Sequence, residues 1–69
     1  MNYYVNKESL ENGDHEVHRG DCPVLPKEGK LIHLGDFLLC SSALAEAKKH
    51  FVQINACETC SKFHHEKTD

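Results

Sequence analysis

Cys57-Glu58-Thr59-Cys60 sets two thiols two residues apart, a spacing that lets one tight turn aim both sulfurs at a single point. Upstream, His18-Arg19-Gly20-Asp21-Cys22 sets an imidazole and a third thiol three residues apart. Read together, the two segments supply the four corners of a tetrahedral Cys3His metal site, which is the preference of zinc. His18, Cys22, Cys57 and Cys60 are therefore the predicted ligands. Three thiolates and a neutral imidazole leave such a site with a charge of about −1, which backbone N–H groups can solvate. About half of the chain lies between the two halves, and its fold must bring them together.

Size makes an ion useful. The chain has 69 residues, which bounds it to one domain whose apolar core alone is thin. It has no Trp, three Phe and two Tyr, so large core-forming side chains are scarce. The expected organisation is a single zinc-binding domain over residues 1–60 and a polar tail over 61–69. The net charge of −3 with scattered Lys and Arg argues against a broad electrostatic grip on nucleic acid. No apolar run approaches the ~18 residues of a membrane span. The start, Met1-Asn2-Tyr3-Tyr4-Val5, lacks the basic and apolar regions of a secretory signal. A cytoplasmic location is expected, where thiols stay reduced and metal binding is favoured over disulfides.

Local patterns give the elements. Asn2-Tyr3-Tyr4-Val5-Asn6 is rich in β-prone side chains. Asn12-Gly13 marks a turn. From Asp14 to Arg19 the chain alternates, with His15, Val17 and Arg19 on one side and Glu16 and His18 on the other. Lys30 to Leu34 reads as a third strand stopped by Gly35. Ala43 to His50 is the best helix former, capped by Ser41 or Ser42, with Leu44, Ala47 and Phe51 as its buried stripe. Val52-Gln53-Ile54 reads as the way into the cysteine turn. The expected fold is α+β: a small antiparallel sheet of about three strands with one helix. The expected core is Val5, Val17, Leu31 or Ile32, Leu34, Phe37, Leu44, Ala47, Phe51 and Ile54.

Each remaining chemical group has a plainer reading beside the functional one. Cys40, among Phe37, Leu38 and Leu39, reads as a small buried apolar residue. His33 and His50 read as partly exposed polar residues. His15 faces away from His18 and should not share its ion. Cys60-x3-His64 is also a zinc-compatible spacing, which makes His64 the alternative to His18. A redox reading of Cys57 and Cys60 would want the motif at a helix start, whereas it follows the main helix. His15-Glu16-Val17-His18 is not the metalloprotease motif, whose histidines stand four apart on one helical face. No nucleophile–base set or phosphate-cradling loop is apparent, so no enzymatic activity is expected.

Two resemblances attach to these residues. Tyr3-Tyr4-Val5-Asn6-Lys7, Asn12 to His18, Cys22, Leu25-Pro26, Leu34-Gly35-Asp36-Phe37, Cys40, Ala47-Lys48 and Cys57 together resemble a family of short uncharacterised bacterial proteins. Ser61 and His64 stand where that family carries cysteines, and the family implies no activity. Over residues 18–60 the pattern is also similar to the N-terminal metal-binding domain of the bacterial Ada DNA-repair protein, which binds zinc through Cys-x3-Cys and Cys-x2-Cys. There the first cysteine accepts a methyl group from a DNA phosphotriester. His18 occupies that position here, so the resemblance implies fold and metal without repair. The expected function is a structural zinc module that binds another protein. The alternatives are a nucleic-acid-associated zinc module and a thiol redox or metal-handling protein.

Overall fold

Tyr3, Tyr4 and Val5, flanked by asparagines, are β-prone, and Asn2–Asn6 forms strand β1 with Tyr3 and Val5 buried. His15–Arg19 forms β2, Leu31–Asp36 forms β3 and Ile54–Ala56 forms β4. A single 3₁₀ turn, Glu28–Lys30, leads into β3, and helix α1 spans Cys40–Ala47. The computed structural model describes residues 1–59.

The result is an α+β fold with a four-stranded mixed sheet in the order β3-β1-β2-β4. β1 lies antiparallel to both neighbours, pairing Val5 with Val17 of β2 and with Ile32 of β3. β4 runs parallel to β2, with His15 beside Ile54 and Val17 beside Ala56. The three-stranded, wholly antiparallel expectation is therefore corrected by one strand and one direction. A parallel neighbour needs a long crossover. Here β3 and α1 both lie in that connection. Gln53 fixes the arrival of β4. Its side-chain amide donates to the Asn12 carbonyl at 2.9 Å and to Asp14 Oδ1 at 2.7 Å, and its own carbonyl accepts from His15 N–H at 3.0 Å. The Asn12-Gly13 turn forms as expected, with Gly13 at φ +95°.

One face of the sheet meets α1. Tyr3, Val5, Val17, Leu34, Ala43 and Ala47 form the core, with Ile32, Phe37, Cys40, Leu44, Phe51 and Ile54 packed around it. Tyr3 and Ala43 are core members that the sequence pattern did not single out. The helix begins earlier than expected and ends at Ala47, with Leu39 as its N-cap and no side-chain cap. Starting at Cys40 adds Cys40 and Ala43 to the stripe that already held Ala47, and contact with the sheet outweighs the serine caps that a later start would offer. Beyond Ala47, Lys49 N–H and His50 N–H close three-residue turns onto Glu46 and Ala47.

β3 continues through Gly35, contrary to its expected stop. The extra residue in β3 shifts the register between Tyr3 and Tyr4. Gly35 takes φ +137° there, a conformation only glycine adopts without strain. The bulge twists the outer edge of β3, a device that discourages edge pairing.

Candidate metal centre

Strand alternation sends successive side chains to opposite faces. Val17 enters the helix-side core, so His18 stands on the other face, beside Tyr4 in the ladder. Both Val17 and His18 are 2% exposed. Burying a histidine on the face away from the helix requires a second cover, and the chain supplies one in two consecutive turns. Cys22 N–H donates to the Arg19 carbonyl at 3.1 Å, which folds Cys22 back toward the end of β2. Leu25 N–H then donates to the Cys22 carbonyl at 3.1 Å, with Pro23 at the first corner. This brings Leu25 over a small second cluster of Cys22 and Cys57.

Cys57 arrives from the other direction. It follows Ala56, which is registered with Val17, and its N–H donates to the Val17 carbonyl at 2.9 Å. The next step of that parallel register sets Cys57 beside His18. His18, Cys22 and Cys57 thus converge from a strand end, a turn and a second strand end. One ligand atom from each lies within 4.8 Å of the other two, and all three residues are buried. The Cys22 and Cys57 sulfurs are 3.9 Å apart.

Burial holds the His18 pKa below its ordinary 6.5, because the imidazolium loses hydration; the nearby Glu16 carboxylate opposes this more weakly. Glu16 Oε1 stands 3.8 Å from His18 Nε2. The ring is therefore neutral near pH 7, the form that gives a lone pair to a metal. The group can hold a metal ion. Cys22 is disulfide-bonded, whereas Cys40 and Cys57 have free thiols. A disulfide sulfur is no thiolate, so ligation by Cys22 requires the reduced chain.

Three of the four predicted ligands are thus brought together. Cys60 and the alternative His64 lie outside the described residues, as does the predicted tail. The other histidines fall as their plainer readings expected. His15 stacks on Phe51 at 3.7 Å between ring centroids, and its Nδ1 lies 2.9 Å from the Asn6 carbonyl. His33 is exposed, tilts against Tyr4 and bonds Asn2 at 3.0 Å. His50 is exposed. Cys40 is half-buried against the core, and desolvation raises its thiol pKa. Glu16 beside His18 and Leu25 over the sulfurs are site members that ligand spacing does not reveal. The i, i+2 spacing of Glu16 and His18 on one strand face was the available signal for the first.

Comparison with family models, with curated proteins and with solved structures returns no match. Among the described residues, no helix is long and apolar enough to cross a membrane.

Proposed function

We propose that this protein is a small structural zinc module, closed around the ion by His18, Cys22, Cys57 and Cys60 and used to bind another protein. The observation that carries the metal is the convergence of His18, Cys22 and Cys57 in a buried cluster. Two sulfurs at ~2.3 Å from a tetrahedral zinc stand about 3.8 Å from each other, and the Cys22–Cys57 separation of 3.9 Å suits that span. Three donors within 4.8 Å of one another could each reach a shared ion at ~2.0–2.3 Å with small side-chain rotations. Cys60 completes the tetrahedron by its spacing from Cys57. The role is non-catalytic: a site filled by four protein ligands keeps no open position for a reactant.

Protein binding is supported by exposed apolar side chains at the loop into α1, where Leu38 is 97% and Leu39 62% exposed. The net charge of −3 favours a protein partner over nucleic acid. The thiol-redox alternative has one specific observation behind it, the disulfide at Cys22. Elemental analysis of protein purified under reducing conditions without chelator tests the metal reading. About one zinc per chain is expected, and a folded, reduced chain free of metal would refute it.

A further inference from the structure

We propose that Glu16 is a positioning residue of the metal centre: its carboxylate accepts the Nε2–H of His18 and so presents Nδ1 to the ion. This rests on the metal reading above and adds which nitrogen binds and what holds it there. Three observations meet at the ring. Glu16 Oε1 stands 3.8 Å from His18 Nε2. His18 is buried, whereas the Glu16 side chain is 27% exposed. Among the described residues, the donors that lie within 4.8 Å of one another are His18, Cys22 and Cys57. The carboxylate therefore approaches the ring without joining the group that would hold the ion.

Strand geometry explains this placement. Glu16 and His18 are two residues apart on β2 and share the face away from the helix. Glu16 comes to the ring from the start of β2. Cys22 folds back from the end of that strand, and Cys57 comes from β4. Acid and sulfurs thus reach the imidazole from different elements and different ends.

The chemistry follows from the ring. A neutral imidazole carries a proton on one nitrogen and a lone pair on the other. A carboxylate beside Nε2 draws the proton to that atom, which leaves the lone pair on Nδ1 for a metal. The 3.8 Å separation is longer than a hydrogen bond. Closing it to the ~2.8 Å of a charge-assisted bond takes a shift of about 1 Å, within reach of a flexible glutamate side chain. The bond fixes the ring and raises the basicity of the nitrogen that binds. Burial of the ring strengthens it, and partial exposure of Glu16 spares the carboxylate a full desolvation.

The test uses the reduced, full-length chain labelled with ¹⁵N and loaded with zinc. Long-range ¹H–¹⁵N spectra should show His18 with its proton on Nε2 and the metal on Nδ1. Competition against a zinc-indicator dye should show Glu16→Ala binding zinc about 10–100-fold more weakly than the parent, while the melt of its metal-free, reduced form stays close to parental. Glu16→Gln keeps a carbonyl that can accept the same proton, so it should retain most of the affinity and keep zinc on Nδ1. A parent chain with zinc on Nε2 would overturn the positioning role and leave the metal reading intact. So would Glu16→Ala binding zinc as tightly as the parent, or Glu16→Gln losing as much affinity as Glu16→Ala, since the carboxylate would then act through its charge alone. A reduced, folded parent that takes up no zinc would overturn both.

Discussion

Val17→Ala separates the two faces of the sheet. Val17 is 2% exposed and packs in the helix-side core opposite Val5. Its carbonyl accepts the Cys57 N–H, a contact that alanine preserves. The substitution deletes two carbon groups, worth about 1.6 kcal/mol at ~0.8 kcal/mol each. The space left behind in a small core brings the cost to about 2–3 kcal/mol. For a domain of this size each kcal/mol lowers the melting temperature by roughly 4–8 °C, so the fall should be about 8–24 °C. The natural reserve is on the order of 3–10 kcal/mol at 0.05–0.15 kcal/mol per residue, so the variant stays folded at low temperature but narrowly. The assay is a thermal melt by circular dichroism on metal-free, reduced protein, followed by zinc titration of the folded variant. On the proposed metal reading zinc should still bind with parental stoichiometry, because His18 and Cys57 lie away from the helix-side core. A destabilisation under ~0.5 kcal/mol would show that Val17 is not a core residue. A folded variant unable to take zinc would show that the two faces do not act independently.

Gly35→Ala places a Cβ at 3.1–3.2 Å from the Phe37 ring and forces alanine to φ +137°; a loss of about 1–3 kcal/mol in urea unfolding is expected, with zinc stoichiometry unchanged. Cys57→Ser should abolish stable zinc binding while Cys40→Ser retains it, read by metal analysis after gel filtration; the reverse pattern would mean the site has the wrong cysteines. The metal-free chain should also weaken in mild acid. His18 has a folded pKa below its unfolded 6.5, so below pH 6.5 the unfolded chain binds the extra proton first. Its contribution is full above pH 6.5 and declines as pH falls toward the folded value. Urea midpoints measured from pH 8 to pH 5 should show this decline, and the slope should shrink in His18→Gln.

The elements that alternation or helical spacing governs were legible. β1 and β2 follow from residue pattern alone, and the split of Val17 from His18 onto opposite faces follows from a period of two. The helix stripe was legible but shifted, since cap preference is worth about 1 kcal/mol and contact of Cys40 and Ala43 with the sheet outweighs it. β4 was not legible. Ile54-Asn55-Ala56 is too short for a periodic signal, and its pairing depends on Gln53 reaching the distant Asn12 and Asp14. Gly35 misled because glycine breaks a regular strand but permits a bulged one.

That unreadable strand is what assembles the site. The spacing of Cys57 and Cys60 says only that two thiols can share a turn; it does not say what they face. Parallel pairing of β4 with β2 brings both strands to their ends side by side, and the Cys57 N–H bond to the Val17 carbonyl fixes the step. Because side chains alternate, a slip of one residue in that register would turn Cys57 toward the helix and away from His18. The Cys22 turn adds its sulfur from the strand that already carries His18, so only one long-range register has to be right. Gln53 secures that register at one end of β4 and Cys57 N–H secures it at the other. The backbone that carries His18, Cys22 and Cys57 is therefore held by the sheet and its adjoining turn.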